Sequence, residues 1–217
     1  MHTIGVFDSG RGGESVARAI RETFPDSEVI FRDDSAHLPY GNKTPEQLLD
    51  LVTPILQEMI EQGCEVIVIA CNTVTTTIIR QLREQISVPL VGIEPMVKPA
   101  AQQTKTGIVA VCATPATLKS KRYGWLKDTY AKDTTVLEPD CSDWAAMIQA
   151  NNVDRKKVDG RIIEVLDAGA DVIVLGCTHY HWIEQDIQKL AKGRAIVLQP
   201  EPAIIRQLNR VLASLAV

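Results

Sequence analysis

Two stretches of this 217-residue chain read as copies of one another. Glu58-Met59-Ile60-Glu61-Gln62-Gly63-Cys64-Glu65-Val66-Ile67-Val68-Ile69-Ala70-Cys71-Asn72-Thr73 aligns without a gap on Glu164-Val165-Leu166-Asp167-Ala168-Gly169-Ala170-Asp171-Val172-Ile173-Val174-Leu175-Gly176-Cys177-Thr178-His179. Glu, Gly, Val-Ile-Val and Cys are identical, and the offset is close to half the chain. Helix, glycine, acid and strand in that order are common to many βα units. A cysteine followed by Asn-Thr or Thr-His at both strand ends is not. The chain therefore reads as a duplication. It predicts two similar α/β lobes, each a mainly parallel sheet flanked by helices, related by a pseudo-twofold with a cleft between them. A weaker echo pairs residues 3–7 with 105–109 or nearby.

The rest of the chain follows the same rhythm. Short β-branched runs at 3–7, 28–32, 66–70, 90–92, 107–111, 172–175 and 195–198 are nearly all apolar rather than alternating. Such runs suit strands covered on both faces of a parallel sheet. Helical stretches lie between them, at about 13–24, 45–62, 74–86, 115–130, 155–168, 181–192 and 201–214. Thr44-Pro45-Glu46-Gln47 offers a cap, a first-turn proline and a capping-box glutamine. Thr114-Pro115 repeats the cap and proline. Strand–helix alternation predicts right-handed crossovers.

Charge and cysteine usage narrow the class. The net charge is −4 at pH 7, which disfavours a general nucleic-acid binder and offers no membrane-surface patch. No apolar run approaches the roughly 18 residues of a membrane span. The first residues lack a positive region followed by a long apolar one, so they read as a strand and not as a signal peptide. Cys64, Cys71, Cys112, Cys141 and Cys177 are odd in number, widely spaced and without a CxxC pair. That pattern predicts a reducing cytoplasm rather than a disulfide framework.

Cys71 and Cys177 each stand just beyond an apolar strand, at the end where open α/β sheets bind ligands. Two equivalent thiols on opposite sides of one ligand suit inversion of a stereocentre. One removes a proton from carbon and the other returns a proton to the opposite face. A thiol has a free pKa near 8.5 and is tuned by its neighbours. The plainer reading of any buried free cysteine is a small core hydrophobe, and it is preferred for Cys64, Cys112 and Cys141. Cys177-Thr178-His179-Tyr180-His181 also allows a metal reading, but it lacks the usual zinc spacings.

Other polar groups fall at strand ends. Asp8-Ser9-Gly10-Arg11-Gly12-Gly13 permits a tight turn and close backbone approach to a ligand, without forming GxGxxG. Asp8 reads either as a cap for the next helix or as a carboxylate that orients an ammonium group or partners a thiol. Pro39-Tyr40-Gly41-Asn42-Lys43 is a turn by composition. Thr114, Thr117 and Ser120 read either as capping hydroxyls or as carboxylate binders at a helix start.

Taken together, these motifs resemble bacterial glutamate racemases of the cofactor-independent aspartate/glutamate racemase superfamily. The resemblance runs nearly end to end. It rests on Ile4-Gly5-Val6-Phe7-Asp8-Ser9-Gly10, Asp34-Ser35-Ala36-His37-Leu38-Pro39-Tyr40-Gly41 and Ala70-Cys71-Asn72-Thr73. Thr114-Pro115-Ala116-Thr117 with Ser120 and Tyr123, and Leu175-Gly176-Cys177-Thr178-His179-Tyr180, complete it. The resemblance implies that Cys71 and Cys177 are the acid/base thiols, assisted by Asp8 and His179. It implies that Ser9, Pro39, Tyr40, Gly41, Asn72, Thr73, Thr114, Thr117 and Thr178 hold the substrate amino and carboxylate groups. It further implies glutamate as substrate, no pyridoxal phosphate or metal, a supply of D-glutamate for peptidoglycan, a cytoplasmic location and a homodimer. The implied lobes are 1–95 plus 199–217, and 96–198. Aspartate or a related acid as substrate, and a ligand-binding relative with weakened turnover, are the alternatives.

The chain departs from the family pattern at three points. Gln149 stands where the family often carries a glutamate. His37 replaces the usual arginine, and His181 the usual proline. The chain is also shorter than its relatives by some tens of residues, with the shortening expected between about 121 and 165.

Overall fold

The structure, a computed structural model, describes residues 1–215. The chain divides into two compact units. The first comprises Met1–Glu94 and the chain from Pro200 onward, and the second comprises Pro95–Gln199.

In the first unit, β1 (Thr3–Asp8), α1 (Glu14–Thr23), β2 (Glu28–Asp33), α2 (Pro45–Glu61), β3 (Val66–Ile69), α3 (Asn72–Gln85) and β4 (Leu90–Gly92) follow in order. The second unit carries α4 (Val97–Gln103), β5 (Ile108–Ala113), α5 (Pro115–Lys119), α6 (Lys121–Tyr130), β6 (Thr135–Leu137) and α7 (Trp144–Gln149). It continues with α8 (Arg155–Asp167), β7 (Val172–Gly176), α9 (Glu184–Ala191) and β8 (Ile196–Leu198). The last helix, α10 (Glu201–Leu215), returns to the first unit. Each unit holds one four-stranded sheet, ordered β2-β1-β3-β4 in the first and β6-β5-β7-β8 in the second. Every pairing is parallel.

The apolar runs form strands because both of their faces are covered. Alternate residues of a strand point to opposite sides. In β3, Ile67 and Ile69 pack beneath Leu48, Val52 and Leu56 of α2 and Ile78 of α3. Val66 and Val68 pack on the other side, against Val16 and Ile20 of α1 and Ile204, Leu208 and Leu212 of α10. The i, i+4 spacing of those last three is one helical stripe. In β7, Ile173 and Leu175 face α7, α8 and α9, while Val172 and Val174 face Val97, Ala100, Tyr123 and Leu126.

The duplicated glycines have a backbone cause. Gly63 and Gly169 follow α2 and α8 with φ of +92° and +93°. The Gly63 N–H donates to Ile60 O at 2.8 Å and the Cys64 N–H to Met59 O at 3.1 Å. The Gly169 N–H donates to Leu166 O at 3.1 Å and the Ala170 N–H to Val165 O at 3.0 Å. Both are Schellman closures, which satisfy the last carbonyls and turn the chain into the next strand.

Several expectations need correction. Residues 115–130 are two helices, because Ser120 leaves helical conformation and its hydroxyl caps α6 through the Tyr123 N–H at 3.1 Å. Residues 181–183 belong to a 3-10 turn, Thr178–Ile183, ahead of α9. The elements α4, β6 and α7 were not expected. They are short, α4 contains Pro99 near its start, and β6 is a three-residue edge strand. The sheets fix the register of the weaker echo. Ile4 pairs with Val66 as Val109 pairs with Val172, so residues 3–7 correspond to 108–112.

Alanine has no low-energy conformation at the φ of Gly63 or Gly169. Gly63→Ala and Gly169→Ala should each lower the unfolding free energy by about 1–2 kcal/mol, measured by chemical denaturation. An unchanged midpoint in both would contradict the closure described here.

Candidate active site

In the first unit the polar side chains gather where β1 and β3 end. Asp8 closes β1 and is fully buried. Its Oδ2 accepts from the Gly13 N–H at 2.9 Å and from the Gly10 N–H at 3.4 Å. A Cβ on Gly13 would come within 2.6 Å of the Asp8 Cβ, so glycine lets the start of α1 close over the carboxylate. These bonds tie the carboxylate to the 3-10 turn Arg11–Gly13 that leads into α1.

Cys71 lies between β3 and α3, buried, with its Sγ donating to the Ser9 hydroxyl at 3.4 Å. Burial, and after it the Asp8 carboxylate, push the Cys71 thiol up to about 11. The Ser9 hydroxyl and the Val74 and Thr73 N–H groups pull the other way, since each favours the thiolate.

Asn72 and Thr73 open α3 and are buried. Among the described residues, neither the Nδ2 nor the Oδ1 of Asn72 has a hydrogen-bond partner. A buried amide with no partner is costly, and such groups concentrate where a ligand supplies the missing bonds. Tyr40 is buried and donates its hydroxyl to Asp34 Oδ2 at 2.6 Å, while His37 Nδ1 lies 2.6 Å from Asp34 Oδ1. Burial and the adjacent carboxylate push the Tyr40 phenol far above its ordinary value. Pro39 and Gly41 flank Tyr40, with Gly41 in the 3-10 turn Tyr40–Asn42.

In the second unit Cys177 follows β7 and begins the 3-10 turn that carries Thr178 and His179, all three buried. Cys177 Sγ and His179 Nδ1 are 4.0 Å apart. His179 Nε2 lies 2.8 Å from Gln149 Oε1 at the end of α7. The turn is pinned nearby. The Tyr180 hydroxyl donates to Cys141 O at 2.9 Å, and its ring meets Trp144 of α7 edge-on at 5.2 Å.

Thr114 and Thr117 stand beyond β5, the neighbour of β7. Thr114 Oγ1 accepts from the Thr117 N–H at 3.4 Å and donates to Thr117 Oγ1 at 3.1 Å, which is the capping arrangement. Each unit thus brings its share of the expected residues together. Asp8, Ser9, Cys71, Asn72 and Thr73 gather in the first, and Cys177, Thr178 and His179 in the second.

One partner has no role in the sequence reading: Asp34 lies within a quoted motif and is given none. The family resemblance sets the position of Gln149 near the His-side thiol, and its approach to His179 is the added detail. Cys64, Cys112 and Cys141 sit in the packed cores. Among the described residues no group of three or more His, Cys, Asp or Glu is arranged to hold a metal ion. Nor is any helix there long and apolar enough to cross a membrane.

A negative neighbour opposes thiolate formation at Cys71. Asp8→Asn should therefore lower the thiol pKa below about 11. Ultraviolet thiolate absorbance, taken as the difference from a Cys71→Ser background, measures this. An unchanged or higher value would remove Asp8 as a tuning group.

Comparison with known proteins gives this arrangement its setting. A glutamate racemase from Pseudomonas aeruginosa is 39% identical over 218 residues, spanning 98% of this chain and 82% of the relative. One from Ralstonia pickettii is 38% identical over 215 residues, spanning 97% and 76%. The crystal structure of Escherichia coli glutamate racemase in complex with L-glutamate and the activator UDP-MurNAc-Ala superposes with a TM-score of 0.86 at 29% identity, covering 98% of this chain and 82% of that one. Residues 8–208 match the Asp/Glu/hydantoin racemase family, and the chain belongs to that family.

Proposed function

We propose that this protein is a glutamate racemase, interconverting L- and D-glutamate with Cys71 and Cys177 as its acid and base. The observation that supports this most is the matched pair of thiols. Each follows the third strand in the order of a four-stranded parallel sheet, and each has a polar partner within its own unit. Family membership supports racemisation, and the named relatives favour glutamate over other acids.

The reaction proceeds in two proton transfers. One cysteine, as thiolate, takes the α-proton: the C–H bond breaks, an S–H bond forms, and the electron pair stays on the α-carbon. The second cysteine, as thiol, gives its proton to the opposite face and is left as thiolate. Atoms and charge balance with no oxidant or reductant. The scheme calls for neither pyridoxal phosphate nor a metal. The two sulfurs end with exchanged protonation states, which solvent resets.

The α-proton is far less acidic than a thiol, so the developing carbanion needs stabilisation. Fixed donors in a dry environment provide it. The unpartnered amide of Asn72 suits the substrate carboxylate. Asp8 serves Cys71, and His179 serves Cys177. Ser9, Pro39, Tyr40, Gly41, Thr73, Thr114, Thr117 and Thr178 complete the shell around the amino and carboxylate groups. We assign the product to peptidoglycan synthesis in the bacterial cytoplasm and the working form to a homodimer.

Incubation with L-glutamate in D₂O tests the reading. Loss of circular dichroism with α-deuterium incorporation, without added pyridoxal phosphate, is the expected result. Binding with neither change would overturn it, and faster turnover of aspartate would reassign the substrate. Cys71→Ser and Cys177→Ser should each lower racemisation by about 10²–10⁴, while one of them still exchanges the α-proton of a single enantiomer. Full racemisation by either variant would remove the two-thiol scheme.

A further inference from the structure

His179 stands between two groups of the second unit. Its Nε2 lies 2.8 Å from Gln149 Oε1, and its Nδ1 lies 4.0 Å from Cys177 Sγ. With the amide oxygen of Gln149 turned to the ring, the Nε2 that approaches it carries a hydrogen, because a carbonyl oxygen only accepts hydrogen bonds. In a neutral imidazole, a hydrogen on Nε2 leaves Nδ1 as a bare acceptor. The bare nitrogen is therefore the one facing the sulfur.

We propose that Gln149 is a positioning residue: its amide oxygen holds His179 in the Nε2–H tautomer, so that Nδ1 receives the Cys177 thiol proton. The step is balanced within the pair. The S–H bond breaks and an N–H bond forms, leaving a thiolate beside an imidazolium. The thiolate is then the species able to take a proton from carbon. This inference rests on the reading of Cys177 as an acid/base thiol.

The surroundings favour a fixed role for Gln149. It ends α7, whose first residue, Trp144, is fully buried against the Tyr180 ring. Tyr180 is the residue after His179, and its hydroxyl is tied to Cys141 O at 2.9 Å. Helix α7 and the 3-10 turn are thus held together at one point by the ring pair and at a second by the Gln149–His179 bond. Gln149 differs from a carboxylate in one respect. The amide orients the ring without placing a negative charge beside it, so the tautomer is set by geometry alone.

Nitrogen-15 NMR of the protein labelled at histidine reads the tautomer directly, with the His179 signals identified by their loss in His179→Asn. The wild type should show a protonated Nε2 and an unprotonated Nδ1. Gln149→Leu should lose that preference and lower kcat about tenfold, with KM changed less than about twofold. Gln149→Glu keeps an acceptor at the same position and should restore the tautomer and recover most of the lost kcat. A wild-type Nδ1–H tautomer would overturn the proposal. So would a Gln149→Leu variant with unchanged kcat, or a Gln149→Glu variant no better than it. If Gln149→Leu does not fold, the wild-type spectrum and Gln149→Glu still decide. The spectrum is readable whether or not the protein turns over glutamate. A wild type inert towards glutamate would therefore sink the activity and leave the tautomer measured.

Discussion

Everything chemical in this molecule depends on two strands that have no side open to water. Both β3 and β7 are buried along their whole length, with apolar side chains leaving alternately to two helical layers. A polar side chain within such a strand would lose its hydration on either face. The first places where the chain can carry a reactive group are the residues just past the carboxyl ends. There Cys71 and Cys177 sit, and the helix or turn that follows each brings backbone N–H groups and hydroxyls beside the sulfur. The same burial that protects the strands also disfavours a bare thiolate, and at Cys71 the Asp8 carboxylate adds to that while the Ser9 hydroxyl and two backbone N–H groups oppose it.

The polar neighbours of the two cysteines are not duplicated. The register that equates Ile4 with Val109 equates Asp8 with Ala113. The carboxylate beside Cys71 therefore has no counterpart in the second unit. Likewise Thr73 occupies the place that His179 fills beyond β7. For an interconversion of enantiomers this asymmetry is permitted. Mirror-image solutes have equal free energy in water, so no arrangement of thiols alters the final ratio. Unequal neighbours only redistribute affinity and speed between the two directions.

The parts of the fold written in local chemistry were legible in the sequence. Thr44 and Gln47 form the expected capping box. The repeated glycines terminate helices as their spacing suggested, and the apolar runs are strands. What escaped was of two kinds. Short elements such as β6 and α7 carry too few residues for any periodicity to emerge. Pairings across the chain leave no local signal at all. Asp34 and Tyr40 share a motif, yet their spacing does not state that the hydroxyl donates to the carboxylate, and the thirty residues between Gln149 and His179 do not state which atoms meet. The candidate site was therefore readable as a set of residues and unreadable as a network, since hydrogen-bond partners are chosen by tertiary approach.

The return of α10 to the first unit bears on how the protein is made. Ile204, Leu208 and Leu212 cover one face of the sheet laid down by the earliest residues. A ribosome delivers the chain from its beginning, and domains fold as units as they emerge. The second unit, encoded as one uninterrupted segment, has all its parts before the last helix is synthesised. The first unit does not. Its Val66 and Val68 stay partly uncovered until α10 emerges behind the whole of the second unit, so the unit begun first is closed after the unit begun second.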